Sequence, residues 1–193
     1  MTETKKAGNG QILKLALVLL AVAAVIALVL GMVNEITKGP IDEYLNNKRA
    51  EAYAVVMPGE GNTYDPIEAG TYQNDASNSI TSLSVAKDAS GSEIGYVAET
   101  TFSGAQGMIT MVIGLDNDLT CTGIGITEHS ETSGLGAKAA DPTDPFPQSM
   151  VGLTDGAKLS KDGGSVAAIS GATLTSRAVV TEIQAVIDAV KSL

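Results

Sequence analysis

The chain has one cysteine, one histidine and no tryptophan in 193 residues. A lone cysteine excludes an internal disulfide, a four-cysteine zinc site and an iron–sulfur cluster carried by this chain alone. A lone histidine excludes any site built from two. With five Tyr and two Phe, the core cannot rest on aromatic packing. Basic residues are scarce as well: 12 Lys and Arg stand against 22 Asp and Glu, a formal charge of −10. That balance lacks the basic footprint a phosphate-backbone binder needs, so nucleic acid is not expected as a partner. Asp141, Asp144 and Glu131 fit no calcium-loop spacing, and no metal is expected. No internal repeat of fixed period is present, and the length leaves room for one ordinary domain after a membrane segment.

What the sequence does have is a long apolar run. Leu15 to Val33 contains no charged or strongly polar side chain. As a helix it spans roughly 28 Å at about 1.5 Å per residue, close to the bilayer core of about 30 Å. A signal peptide has a shorter apolar core and a small-x-small cleavage site, and Val29-Leu30-Gly31-Met32-Val33-Asn34 offers no good one. The expected organisation is a cytoplasmic N-terminus over residues 1–11, a transmembrane helix over 12–33 and an extracytoplasmic domain over 34–193. Lys5, Lys6 and Lys14 on the N-side set that orientation. Residues 34–193 hold 9 basic and 21 acidic side chains, a net of −12. Any anionic ligand there needs local help from a helix end or a single cation.

Beyond the membrane segment, residues 40–56 read as a helix opening at Pro40. Residues 59–80, rich in Gly, Asn, Asp, Ser and Thr, read as loop. Ile80–Ala86, Ile94–Thr101, Met108–Leu115 and Leu119–Ile126 read as strands, the last two forming a hairpin around Asp116-Asn117-Asp118. Residues 128–165 carry few strand signals; so long an irregular stretch in a small domain is usually functional. Val179, Ile183, Val186, Val190 and Leu193 form one apolar stripe of a final amphipathic helix, which Thr173 or Thr175 can cap. The fold class is α+β: a single N-terminal transmembrane helix, then one domain with an antiparallel sheet and a C-terminal helix.

Three short segments could carry chemistry. In Ser170-Gly171-Ala172-Thr173-Leu174-Thr175-Ser176-Arg177, small residues admit a ligand to the backbone and hydroxyls gather where a helix begins. A helix N-terminus is a ready anion site, and Arg177, one turn in, can add a charge-assisted bond; an ordinary hydroxyl cap accounts for the same residues without a ligand. The run from Glu128 to Lys138 sets a Gly134-Leu135-Gly136 turn beside His129, too few glycines for a dinucleotide fingerprint. A loop histidine serves structure as readily as catalysis. Phe102-Ser103-Gly104 lies between two strands, where a plain turn suffices. Cys121 sits in an apolar strand and reads as a small core residue.

Taken together, Phe102-Ser103-Gly104, His129-Ser130-Glu131-Thr132-Ser133-Gly134-Leu135-Gly136 and Ser170-Gly171-Ala172-Thr173, behind one N-terminal membrane helix, resemble the FMN-binding domain of the G subunit of the Rnf electron-transport complex. The C subunit of the sodium-pumping NADH:quinone reductase is a close relative of that family. The resemblance implies an electron-relay flavoprotein subunit of a membrane ion-translocating ferredoxin:NAD oxidoreductase, with other membrane subunits as partners. It implies FMN joined through its phosphate to the Thr173 hydroxyl by a flavin transferase. The other residues it assigns to the cofactor are Ser170, Gly171, Ala172, Thr175, Arg177, Ser103, Glu131, Thr132, Gly134, Leu135, Gly136 and Lys138, with none catalytic. The Asp of the family's attachment motif falls on Ala167, and Ser133 stands where Pro is frequent. The alternatives are the quinone-reductase homologue and an extracytoplasmic binding or assembly module without redox activity.

Overall fold

The computed structural model describes residues 9–72 and 79–193. Lys5 and Lys6, on which the expected orientation partly rests, lie outside them. The chain divides into two compact units, residues 1–46 and 47–193.

Helix α1 runs unbroken over Asn9–Val56, so the helix expected to open at Pro40 continues an earlier one. Between Val33 and Pro40 no turn cluster intervenes. Pro40 lies inside it, without an amide hydrogen to give, and Thr37 Oγ1 donates back to the Val33 carbonyl at 2.8 Å. In the first unit the apolar side chains lie outward; an 18-residue stretch has mean hydropathy 3.1 and none of it is buried. That is a helix long and apolar enough to cross a membrane.

The second unit is built on a five-stranded antiparallel meander, β1 (Thr63–Pro66), β2 (Ile80–Lys87), β3 (Glu93–Ser103), β4 (Met108–Asp116) and β5 (Cys121–His129), in that spatial order. The expected hairpin is β4–β5, with Ile113 opposite Ile124 and Gly114 opposite Gly123. Its loop is fixed by Asp116, whose Oδ1 accepts from the amides of Asp118 and Thr120 at 2.9 and 2.8 Å. Leu119 takes a left-handed φ of 60° there, so β5 starts at Cys121 rather than Leu119. Strand β1 lies inside the stretch expected to be loop. It is a short edge strand, mostly exposed, and such strands lack the alternating apolar signal.

Both faces of the sheet are covered, and the pleat divides the side chains between two cores. Ala98, Met111, Ile113 and Leu115 join the main core with Ile183, Val186 and Ile187 of the final helix, α2 (Thr173–Lys191). Val97 and Val112, one residue out of phase, join Ala52, Val56 and Met57 on the other face. Strand β4 is thus buried on both sides, which is why it reads as one continuous apolar run. The end of α1 comes in close because the sheet offers glycines there. A Cβ on Gly125 would stand 2.8 Å from the Ala52 methyl, and one on Gly114 2.6 Å from the Val56 carbonyl oxygen.

In α2 the stripe Val179, Ile183, Val186 and Val190 is buried, widened by Val180, Ile187 and Ala189, while Leu193 lies past the helix end and is exposed. The cap differs from expectation. Ala172 is the N-cap and no side chain closes the first turn, because the nearby hydroxyls are drawn elsewhere. Residues 130–165 form turns, as their composition suggests, with 3₁₀ segments at Gly136–Ala140 and Ser160–Asp162 and one helical turn at Pro145–Gln148.

Candidate functional site

The start of α2 gathers most of the residues singled out in the sequence. Gly171 turns the chain into the helix with a left-handed φ of 78°, a conformation glycine takes at no steric cost. The Ile169 amide donates to the Ser176 hydroxyl at 3.0 Å, which donates in turn to the Ala172 carbonyl at 2.9 Å. The first intrahelical bond runs from the Ser176 amide to Ala172. The preceding amides of the first turn have no partner within the helix, as in every helix. Thr173, half-buried, stands at that turn.

Two neighbours of Thr173 escaped the sequence reading. Lys161 donates from Nζ to Thr173 Oγ1 at 3.4 Å. Asp162, on the same 3₁₀ turn, pairs bidentately with Arg177, Nε to Oδ2 at 2.8 Å and a terminal nitrogen to Oδ1 at 3.0 Å. Arg177 therefore holds the 160–162 turn against the helix start rather than leaning alone toward an anion. Its hydrogen bond holds the Asp162 carboxyl below the usual range, with Lys158 and Lys161 adding to the effect. Lys158, Lys161 and Arg177 are three of the nine cations in residues 34–193. That clustering in an acidic domain was the available signal.

A buried carboxylate joins this helix start to the two other segments. Glu131 is 9% exposed. Its Oε1 accepts from the amides of Ala105 and Gln106 at 2.7 and 3.0 Å, and its Oε2 accepts from the Thr175 hydroxyl at 2.7 Å. Burial pushes its carboxyl up, but these donors outweigh burial and hold it below the ordinary value. Gly104 and Gly136 flank it. A Cβ on either would collide with a Glu131 oxygen, and one on Gly104 would also stand 2.6 Å from Ile109 Cδ1. The β3–β4 turn, with Ser103 exposed at its base, is thereby brought beside the 130–136 loop and the first turn of α2.

The rest of that loop lies outward. Thr132, Gly134 and Leu135 are exposed, and Gly134 has a φ of 75°. Leu135 reaches the neighbouring segment: a Cβ on Gly171 would stand 3.0 Å from Leu135 Cδ2. Lys138 and Ser170 line one cavity of about 250 Å³ together with Asp144, Phe146 and Ala167. His129 accepts at Nδ1 from the Glu131 amide at 3.3 Å, a structural contact. Asp141 and Asp144 are engaged in their own turns, through Thr143 and the Phe146 amide. Cys121 is buried, and burial pushes its thiol up to about 12. A larger groove, about 440 Å³, holds none of the expected residues. It is lined by Arg49, Tyr53, Tyr64 and Glu99, with the Tyr53 hydroxyl donating to Glu99 at 3.1 Å and Arg49 pairing with it at 3.4 Å.

The arrangement suits a phosphorylated ligand with an apolar part. A hydroxyl stands at a helix N-terminus beside an ammonium group, and small residues and an exposed Leu135 leave room for a flat apolar body. Comparison with known proteins agrees. The FMN-binding domain family matches residues 104–188, which open at the Gly104 turn and include Glu131 and Thr173. The G subunit of the ion-translocating oxidoreductase complex of Methanosarcina acetivorans is 33% identical over 184 residues, 94% of this chain and 96% of that one. The G subunit of the Na(+)-translocating ferredoxin:NAD(+) oxidoreductase complex of Acetobacterium woodii is 29% identical over 194 residues, 94% and 93% of the two chains. The crystal structure of the C subunit of Na(+)-translocating NADH-quinone reductase from Parabacteroides distasonis superposes with a TM-score of 0.46 at 27% identity, over 57% of this chain and 61% of that one. By its likeness to the Methanosarcina acetivorans G subunit over nearly the whole length of both chains, with the FMN-binding domain match inside it, the chain belongs to the family of G subunits of ion-translocating oxidoreductase complexes.

Proposed function

We propose that this chain is an electron-relay subunit of a membrane ion-translocating ferredoxin:NAD oxidoreductase of the Rnf type, carrying FMN as a phosphoester on Thr173. The other membrane subunits of that complex are its working partners, and a flavin transferase loads it. The domain lies outside the cytoplasm, with the N-terminus inside, as the flanking lysines favour. The observation that carries the reading is the placement of Thr173. Among the residues of the FMN-binding domain it is the hydroxyl that stands at the first turn of α2 and has a lysine on its oxygen.

When bound, FMN supplies one- and two-electron chemistry; the chain supplies position and charge. The first-turn amides of α2 and Lys161 offset phosphate charge that a domain of net −12 disfavours. Arg177 and Asp162 fix the turn that presents Lys161. The small residues Ser170, Gly171 and Ala172 leave the approach to Thr173 open. Leu135, flanked by Gly134 and Gly136, offers an apolar surface to the ring system, with Thr132, Ser103 and Lys138 as polar groups at its margin. A covalent link keeps the carrier on the membrane in a compartment from which free FMN would diffuse away.

Intact-chain mass measurement tests this. The wild-type chain expressed with a flavin transferase should carry one FMN adduct and fluoresce in a denaturing gel, and Thr173→Ala should show neither while keeping its melting transition. Covalent flavin retained on Thr173→Ala would move the attachment point, and an unmodified wild-type chain would remove the covalent reading.

A further inference from the structure

We infer that Glu131 is a positioning residue for the flavin: its carboxylate acts through the Ala105 and Gln106 amides and the Thr175 hydroxyl to lock two loops onto the start of α2, without itself touching the cofactor. This rests on the reading of Thr173 as the attachment point.

The geometry turns three of the carboxylate's roughly four acceptor sites to the protein. Oε1 takes two backbone amides and Oε2 takes a hydroxyl, at 2.7 to 3.0 Å. Each donor comes from a different element than Glu131: Ala105 and Gln106 from the β3–β4 turn, Thr175 from α2. Thr175 is fully buried and lies two residues beyond Thr173. The ion pairs among the described residues all involve other carboxylates, so hydrogen bonds, with a smaller coulombic contribution from His129, compensate this buried charge. Unmade, such bonds leave buried groups unsatisfied, which native structures avoid. Gly104 and Gly136 make room for the arrangement, because a side chain at either position would occupy the space of the carboxylate.

The consequence concerns order rather than attachment. The acceptor hydroxyl is on α2 and can be loaded without Glu131. The surface against which the flavin ring rests comes from the 103–107 turn and the 130–136 loop, and the Glu131 clamp ties both to the first turn of α2, which bears Thr173. A glutamine can replace the clamp: its amide oxygen accepts from Ala105 and Gln106, and its NH₂ donates to Thr175 Oγ1, which turns to accept. An alanine cannot.

The test uses the full-length chain in detergent, with and without flavin. In the flavin-free chain, Glu131→Ala should speed exchange of the Ala105 and Gln106 amide hydrogens by about tenfold or more, and Glu131→Gln should leave it near the wild-type rate. In the loaded chain, Glu131→Ala should keep the mass adduct but lower the anisotropy of flavin fluorescence, and Glu131→Gln should restore it. Unchanged exchange in Glu131→Ala, unchanged anisotropy, or a Glu131→Gln chain as loose as Glu131→Ala would each overturn the assignment. Should Glu131→Ala not fold, Thr175→Val cuts only the helix side of the clamp: a fall in anisotropy with Ala105 and Gln106 still protected supports it, and unchanged anisotropy overturns it. The exchange arm needs no flavin, and an unmodified wild-type chain reports on the attachment reading instead; anisotropy is then read on added FMN.

Discussion

Replacing Gly136 by alanine adds one methyl group at the most crowded point of the site. Its Cβ would sit 2.9 Å from Thr175 Oγ1, 3.0 Å from Glu131 Cβ and in collision with Glu131 Oε2. Either the carboxylate moves, breaking its bond to Thr175, or the 130–136 loop moves away from α2. Losing a hydrogen bond to a charged group costs about 1.5–3 kcal/mol, and overpacking of a tight site costs about 1–3 kcal/mol. The two figures describe one displacement and do not add, so Gly136→Ala should destabilise the domain by about 1.5–3 kcal/mol. At about 2–4 °C per kcal/mol for a chain of this size, the melting temperature should fall by about 3–12 °C. Gly134→Ala is the control. It also lies in the loop, but space around its Cβ is open and its cost is the left-handed φ of 75° alone, about 1–2 kcal/mol. Near-UV circular dichroism on heating reads both melting temperatures. Hydrogen exchange at Ala105 and Gln106 separates the causes, since only Gly136→Ala should loosen those amides. Equal exchange in the two variants, or a Gly136→Ala chain as stable as wild type, would refute the clamp geometry.

Three further outcomes follow from the same structure. Ile183→Ala, at a fully buried position facing the sheet, should cost about 2–5 kcal/mol, read as a lowered denaturation midpoint at unchanged slope; a cost of a few tenths would mean α2 does not seal the core. Arg177→Ala should slow flavin incorporation by releasing Asp162 and the turn bearing Lys161, and Arg177→Lys should recover only part, because the bidentate fork is lost; equal incorporation in all three chains would remove the pair from the site. Glu131 is held below its ordinary value of 4.5, so its contribution is complete above that value and is lost as pH falls below it, through the lowered folded value. The difference in melting temperature between wild type and Glu131→Ala should therefore shrink, by the charge-dependent part alone, on acidification below the carboxylate range; a constant difference would show that the charge adds nothing to hydrogen bonds a glutamine can also make.

The strands and the last helix were legible because their periodicity is enforced by burial. Met111, Val112, Ile113 and Leu115 are apolar on both phases of the pleat because both faces of β4 are covered, and the α2 stripe is a one-sided version of the same constraint. Thr63–Pro66 left no such trace, since an edge strand half in solvent needs no apolar alternation. The site was legible as three separate segments, each short, rich in small residues and placed at an element boundary. What joins them was not. Glu131 meets Thr175 across 44 residues, and Arg177 meets Asp162 across 15. Such pairings follow from how loops fold back on a finished sheet, for which no local pattern exists. The hydroxyls expected to cap α2 illustrate the point: Thr175 is turned inward by Glu131 and Thr173 takes Lys161 on its oxygen, and the helix starts without a side-chain cap.

The strand order of the sheet has a consequence for assembly. Every strand pairs with its neighbour in sequence, with short turns joining β2 to β5, so the meander can grow in the order of synthesis, with little entropy lost at each addition. Its main core stays open until the nineteen residues of α2, Thr173–Lys191, made after the sheet, lie down across it. The same event delivers Thr175 to Glu131 and exposes the Thr173 hydroxyl at a formed helix end. A chain truncated or stalled before that moment has a sheet but no cofactor cradle, so flavin on this protein would serve as a certificate that the domain had finished folding.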